Sequence, residues 1–174
     1  MSAAAAAHRG PSRGPKILVF STNNVSDPGV DLAGSAHVAY SSAVRVISVP
    51  CSSGIDPRWI LHALEKGFDG VFIAADGSDC SKIANCSERT GIIVARAQQM
   101  MREAGHEPAR LKMAAVCTVC AEPFAQHMEK FGKELEKLPV RAATPVVGAP
   151  VGPAAPSATA ARSPVEAPRV AVHA

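Results

Sequence analysis

Five cysteines are the residues of this chain with the most distinctive chemistry, and their spacing suggests what that chemistry could be. They are Cys51, Cys80, Cys86, Cys117 and Cys120. The last four form a Cys-x5-Cys motif followed by a Cys-x2-Cys motif. Four thiolates can bind an iron–sulfur cluster or a zinc ion, and spacing alone does not separate these two. A Cys-x2-Cys pair can also be a redox dithiol, because the positive end of a helix favours the thiolate form.

The composition indicates the environment in which these thiols work. The chain has 174 residues, of which 47 % are hydrophobic and 19 % charged, as is typical of globular domains. The net charge of +3 arises largely at the two ends, so no basic stripe indicates nucleic-acid binding. No apolar run reaches the roughly 18 residues of a membrane helix, and the apolar patch near the N-terminus is too short for a signal peptide. We therefore expect a cytoplasmic protein in which five cysteines serve metal or redox chemistry rather than disulfides.

Alternating strands and helices must position the cysteines. Apolar runs predict strands at 16–21, 44–50, 70–75 and 111–117. Helical spacing predicts helices at 30–41, 56–67, 87–105 and 122–138. This alternation predicts an α/β fold with a flavodoxin-like four-stranded parallel sheet, order 2-1-3-4, and helices on both faces. The flanking segments, 1–15 and 139–174, are rich in Ala and Pro and predict disordered tails around a domain at 16–138. The C-terminal tail could instead wrap a partner protein.

Capping residues and apolar stripes define the predicted helices. Asp56 and Pro57 are typical of a helix start, Gly67 of a helix end, and Ser87 is the expected cap of the third helix. For the first helix the expected inward residues are Leu32, Ala33, Ala36 and Tyr40. For the second they are Trp59, Ile60, Ala63 and Leu64. For the last they are Phe124, Met128, Phe131 and Leu135.

All five cysteines follow strands, and therefore fall at the carboxyl edge of the predicted sheet, where open α/β sheets bind ligands. Adjacent third and fourth strands would let four thiols converge from two loops, namely Cys80, Cys86, Cys117 and Cys120. Cys51 would lie nearer to Cys80, across the first loop. Asp76 and Asp79 either cap the turn before Cys80 or replace one thiolate as a ligand. The sequence predicts a metal site here without selecting its four ligands.

Four separate segments resemble one known family. They are "DLAG" (31–34), "VRVISVPCSSGIDPRWILHALEKGFDGVFIA" (44–74), "GSDC" (77–80) and "AGHEPARL" (104–111). Together they are similar to the delta subunit of methyl-viologen-reducing hydrogenase, the small iron–sulfur partner of heterodisulfide reductase. The resemblance implies a [2Fe-2S] cluster. It also implies electron relay between a hydrogenase or formate dehydrogenase module and the flavin-containing A-type subunit of heterodisulfide reductase, with any turnover on the partner.

The chain departs from this family in its thiols. The family's first loop reads C-C-N-x-C, and here the corresponding residues are Ser21, Thr22, Asn23, Asn24 and Val25. The family's G-C-H-P-G-D-C turn is here "ADGSDC", without its first cysteine, so only Cys51 and Cys80 carry over. Either the cluster is rebuilt with the other three cysteines, or it is lost and the chain is a structural scaffold subunit. A zinc-stabilised binding module is a third alternative.

Overall fold

The computed structural model describes residues 14–77 and 84–139. Cys80 and Asp79 lie outside these residues, as do the two predicted tails apart from their inner ends. Within the described parts of the chain, no helix is long and apolar enough to cross a membrane.

A four-stranded parallel sheet forms the centre of the domain. Its strands are β1 (Ile17–Thr22), β2 (Val44–Val49), β3 (Gly70–Ala75) and β4 (Leu111–Ala115). They lie in the order β2-β1-β3-β4, and every pair is parallel, so the predicted order is confirmed. Every residue of the two central strands is buried, because helices cover both faces of the sheet.

Four helices pack on the sheet, two on each face, as predicted. They are α1 (Ser26–Ser35), α2 (Pro57–Glu65), α3 (Cys86–Glu103) and α4 (Ala121–Glu136). Helices α1 and α4 enclose one apolar cluster built around Phe72, Phe124 and Phe131. Helices α2 and α3 enclose the other, around Ile60, Leu64 and Met101. The four predicted inward residues of α4 are all buried.

Helix α2 follows its capping signals. The Asp56 side chain accepts a hydrogen bond from the Arg58 backbone N–H at 2.8 Å, and Pro57 is the first helical residue. Gly67 adopts a φ of 96° just after the helix, as its predicted role as terminator requires. The prediction of a buried Trp59 is wrong, since this side chain is 49 % exposed and its ring rests on Phe20 at a centroid distance of 6.3 Å. Edge strand β2 leaves this margin of the sheet partly uncovered.

The predicted bounds of the first helix are wrong, whereas those of the third hold to within two residues and only its predicted cap is wrong. Helix α1 begins at Ser26, whose hydroxyl donates to the Ala74 carbonyl at 2.9 Å, and it ends before His37, which has a positive φ of 56°. Helix α3 begins at Cys86, after Asn85 in the left-handed conformation. Ser87 does not cap it, because its hydroxyl donates to the Asp76 carbonyl at 2.8 Å.

Candidate functional site

Two of the five predicted site cysteines, Cys51 and Cys86, lie in contact as free thiols. Cys51 follows β2 and leads into a short 3-10 turn at Ser52–Gly54, while Cys86 is the first residue of α3. Their sulfur atoms are 3.4 Å apart, and Cys86 is buried whereas Cys51 is half-buried. This pairing differs from the sequence expectation, which placed Cys51 near Cys80 and Cys86 near the Cys-x2-Cys motif.

Hydroxyl groups surround this thiol pair. Ser53 Oγ lies 3.0 Å from the sulfur of Cys51, and Ser52 Oγ lies 3.5 Å from that of Cys86 and 2.9 Å from Thr90 Oγ1. Thr90 also donates to the Cys86 carbonyl at 2.8 Å, which fixes the start of α3. Burial raises the pKa of the Cys86 thiol, but hydrogen bonds from Ser52, Cys51 and Ser53 outweigh it and hold the pKa below the ordinary value of 9.0. These hydrogen bonds therefore make the Cys86 thiol easier to ionise than an ordinary cysteine.

Cys117 and Cys120 form a disulfide with each other, the pairing of the redox-dithiol alternative and not of the metal site. They bracket the tight turn between β4 and α4, in which the Cys120 backbone N–H donates to the Cys117 carbonyl at 3.1 Å. Cys117 is exposed, and Cys120 is half-buried against the α1–α4 cluster. In this state neither sulfur is available as a metal ligand.

The two sulfur pairs belong to different layers of the domain. The turn after Cys51 packs on α3, on one face of the sheet, whereas Cys120 packs with α4 on the other. Among the residues that the structure describes, no group of three or more His, Cys, Asp or Glu side chains is arranged to hold a metal ion. The expected convergence of the Cys-x5-Cys and Cys-x2-Cys motifs is therefore not formed by Cys86, Cys117 and Cys120, and Cys80 lies outside the described residues.

Buried hydroxyls occupy the end of β1, where the resembled family has thiols. Ser21 and Thr22 are 0 % and 1 % exposed. Ser21 Oγ donates to Asp27 Oδ1 at 2.5 Å, and Thr22 Oγ1 donates to the buried carboxylate of Asp76. The Thr22 backbone N–H donates to Ser26 Oγ at 2.6 Å. The polar groups of Ser21 and Thr22 therefore all have hydrogen-bond partners, and Asp76 is one of the acceptors.

The Cys51–Cys86 pair fits one half of a tetrahedral thiolate site. With metal–sulfur bonds of about 2.3 Å, two thiolates on one tetrahedral ion lie about 3.8 Å apart. The observed separation of 3.4 Å needs an opening of only a few tenths of an ångström. A complete set of four ligands requires two more, either Cys80 together with Asp79 in place of a thiolate, or the reduced forms of Cys117 and Cys120.

The sequence did not identify two groups of hydroxyl side chains, one beside the Cys51–Cys86 pair and one at the end of β1. Ser52 and Ser53 directly follow Cys51, and Ser21 and Thr22 directly end β1. Runs of Ser and Thr at the carboxyl ends of buried strands are a usable signal, because such positions are enclosed and must find hydrogen-bond partners.

The sequence comparisons identify the family of this chain. The chain belongs to the family of methyl-viologen-reducing hydrogenase delta subunits, whose model matches residues 17–139.

The relatives differ in how much of their own length this chain matches. The chain is 33 % identical over 139 residues to the A-type subunit of the ferredoxin:CoB-CoM heterodisulfide reductase of Methanosarcina mazei, a match that covers 78 % of this chain and 17 % of the relative. It is 33 % identical over 130 residues to the D-type iron-sulfur subunit of the vhu F420-non-reducing hydrogenase of Methanopyrus kandleri, covering 70 % of this chain and 95 % of the relative. The D-type iron-sulfur subunit of the F420-non-reducing hydrogenase of Archaeoglobus profundus is 28 % identical over 129 residues, covering 71 % and 90 %. The chain thus spans about a sixth of the reductase relative and nearly all of the two hydrogenase relatives.

Proposed function

We propose that this chain is an electron-transfer subunit of a cytoplasmic, heterodisulfide-reductase-like oxidoreductase complex. The observation that carries the proposal is the double occurrence of its domain. The domain makes up 95 % of one hydrogenase iron-sulfur relative, and it matches 17 % of a heterodisulfide reductase chain. Domains joined in one chain commonly work side by side, so a separate copy is expected to bind the rest of such a protein. The proposed partners are a flavoprotein similar to the A-type subunit of heterodisulfide reductase and a protein of the hydrogenase or formate dehydrogenase type.

We further propose that Cys51 and Cys86 are two ligands of a [2Fe-2S] cluster, which would supply one-electron transfer. Their sulfur separation and the thiolate-favouring hydroxyls of Ser52 and Ser53 support this assignment. Thr90 supports it indirectly, because it holds Ser52 and the first turn of α3 in place. The other two proposed ligands come from the loop after β3, namely Cys80 and the neighbouring Asp79, which takes the place of one thiolate. Zinc bound by the same thiolates is the alternative, and it would stabilise the fold without carrying electrons.

The second candidate function is a scaffold subunit that has lost its cluster. Two observations favour it. Where the resembled family has thiols, this chain has hydrogen-bonded Ser21 and Thr22 at the end of β1 and Val25 in the loop that follows. Cys117 and Cys120 are joined to each other. A scaffold would still bind the flavoprotein, so binding and metal content must be measured separately.

Anaerobic purification of the full chain distinguishes these functions. Roughly two irons and matching acid-labile sulfide per chain, with the visible bands of a [2Fe-2S] centre, are expected for the electron carrier. Zinc without iron supports the binding module. A colourless, metal-free chain that still co-purifies with a flavoprotein of the heterodisulfide reductase type supports the scaffold, and failure to bind that flavoprotein refutes membership of the complex.

Paired serine variants then assign the ligands. Cys51→Ser combined with Cys86→Ser is expected to remove all iron. Cys117→Ser combined with Cys120→Ser is the matched control, because it removes the same number of sulfurs at the same edge of the sheet. Unchanged iron content in the first double variant would show that Cys51 and Cys86 are not ligands.

A further inference from the structure

The turn that joins Cys117 to Cys120 has an exposed cysteine at its start and a half-buried cysteine at its end. Cys117, Thr118 and Val119 are all exposed, and Val119 reaches 76 %. Cys120 lies half-buried beside the α1–α4 cluster. An incoming thiolate therefore meets the sulfur of Cys117 first.

The turn rests on a firm base. Val116, immediately before it, is fully buried, and its backbone N–H donates to the Ala75 carbonyl at 3.0 Å, extending the pairing of β4 with β3. Helix α1 packs directly against the turn at Gly29. The Cys117 carbonyl oxygen comes so close to Gly29 that a Cβ added there would clash with it. The backbone around the disulfide is thus held from two sides, while Cys117 itself is exposed.

Cys120 is placed to become a stable leaving group. It is the residue directly before α4, a helix of 16 residues, and the Phe124 N–H donates to its carbonyl at 3.0 Å. The positive end of a helix stabilises a thiolate at this position. The acidic residue of the first turn, Glu122, is exposed, so water screens its opposing charge.

We propose that Cys117 and Cys120 form a reversible dithiol–disulfide couple that accepts two electrons from an external dithiol. One thiolate of the dithiol attacks the sulfur of Cys117, the disulfide bond breaks, and Cys120 leaves as a thiolate. The second thiol of the dithiol then attacks its own partner sulfur in the mixed disulfide and releases Cys117 as a thiolate. The external dithiol becomes a disulfide, and its two electrons and two protons pass to the cysteine pair. In reverse, the reduced pair reduces an external disulfide.

A purely structural role explains the pair less well. The two cysteines are only three positions apart, so the bond closes a very short loop and restricts the unfolded chain only weakly. A disulfide at a solvent-exposed position is also open to exchange. The couple is independent of a cluster held by Cys51 and Cys86, because the two sulfur pairs lie on different layers.

The experiment uses the full chain and a peptide-resolved alkylation readout by mass spectrometry. Wild-type protein is equilibrated anaerobically in mixtures of reduced and oxidised dithiothreitol, then quenched and alkylated. Cys117 and Cys120 are expected to become alkylated together as the mixture becomes reducing, and to close again on reoxidation. Single variants are then exposed to glutathione disulfide. Because access sets the rate, Cys117 in a Cys120→Ser variant should form the glutathione mixed disulfide at least about tenfold faster than Cys120 in a Cys117→Ser variant.

Three results would overturn the proposal. The first is a disulfide that dithiothreitol leaves intact in the folded chain or that fails to reform. The second is equal trapping at the two cysteines. The third is loss of iron from the Cys117→Ser, Cys120→Ser double variant, which would make the pair ligands. The control adds Cys51→Ser and Cys86→Ser to the Cys120→Ser variant, and it is expected to leave trapping at Cys117 unchanged. A wild-type chain without metal would refute the proposed cluster, but it would leave the thiol–disulfide exchange at Cys117 and Cys120 unchanged.

Discussion

Replacing Thr22 by Val tests whether a network of hydroxyl groups stabilises the end of β1 and the start of α1. The side chain is 1 % exposed, and its hydroxyl donates to the carboxylate of Asp76, which is 5 % exposed. The same hydroxyl accepts the Ser26 backbone N–H at 3.2 Å, at the first residue of α1. Valine has nearly the same shape, so the substitution removes these two hydrogen bonds with little change in packing.

The expected loss of stability follows from these contacts. A hydrogen bond to a charged group contributes about 1.5–3 kcal/mol, and an amide left without its acceptor costs about 1 kcal/mol. The added buried methyl group returns about 0.8 kcal/mol. The free energy of unfolding should therefore fall by about 2–3 kcal/mol at neutral pH.

Urea unfolding followed by circular dichroism measures this change at a fixed concentration of reductant. Thr118→Val, at an exposed position in the turn before α4, is the matched control and should change stability by less than about 0.5 kcal/mol. Combining Thr22→Val with Asp76→Asn gives a double-mutant cycle, in which the two effects should be strongly non-additive. A Thr22→Val loss below about 1 kcal/mol, or additive effects in the cycle, would refute the network as the reason for these residues.

Two further predictions concern backbone contacts and capping. Gly29→Ala should destabilise the fold by about 1–3 kcal/mol, because the new Cβ meets the Cys117 carbonyl oxygen. Gly34→Ala is the control in the same helix, because a Cβ at Gly34 would have no atom within 4 Å, and it should stabilise the fold by about 0.5–1 kcal/mol. Equal urea midpoints for the two variants would contradict the close approach of Gly29 to the Cys117 carbonyl. Asp56→Ala should cost about 1 kcal/mol at pH 7 through loss of the α2 cap. The Arg58 side chain lowers the pKa of Asp56 from 3.8 to about 2, below its unfolded value, so this stabilisation is present above about pH 4 and lost towards pH 2. Thermal midpoints of wild type and variant should converge over that range, and a constant difference would exclude the carboxylate as its source.

The sheet could be predicted because its signal is local and strong. The central strands "ILVFST" and "GVFIAA" are buried on both faces and therefore read as continuous runs, dominated by apolar residues. Right-handed crossovers then allow few strand orders, and the structure confirms the expected one. The α2 bounds were similarly accessible, since Asp56 and Gly67 act through their own backbone neighbours.

The sulfur partners could not be predicted, because they depend on loop conformations that carry no periodic signal. The 3-10 turn after Cys51 and the left-handed Asn85 before Cys86 together bring those two thiols into contact. The start of α1 was missed for a related reason. Residues 26–29 read "SDPG", a turn signal, yet Gly29 is needed for the approach of a carbonyl distant in sequence. Long-range contacts of this kind override local preference.

The position of Trp59 gives the chain a built-in optical reporter. It is the only tryptophan of the 174 residues, half-exposed and resting on Phe20 at the β2 margin of the α2–α3 face. Indole side chains of this kind are common at protein interfaces, and their emission shifts to shorter wavelength when water is excluded. A partner protein that covers this margin would blue-shift the emission of the unlabelled chain, whereas one that docks on the α1–α4 face would leave it unchanged. Fluorescence can therefore report which face of the domain is occupied as a complex assembles.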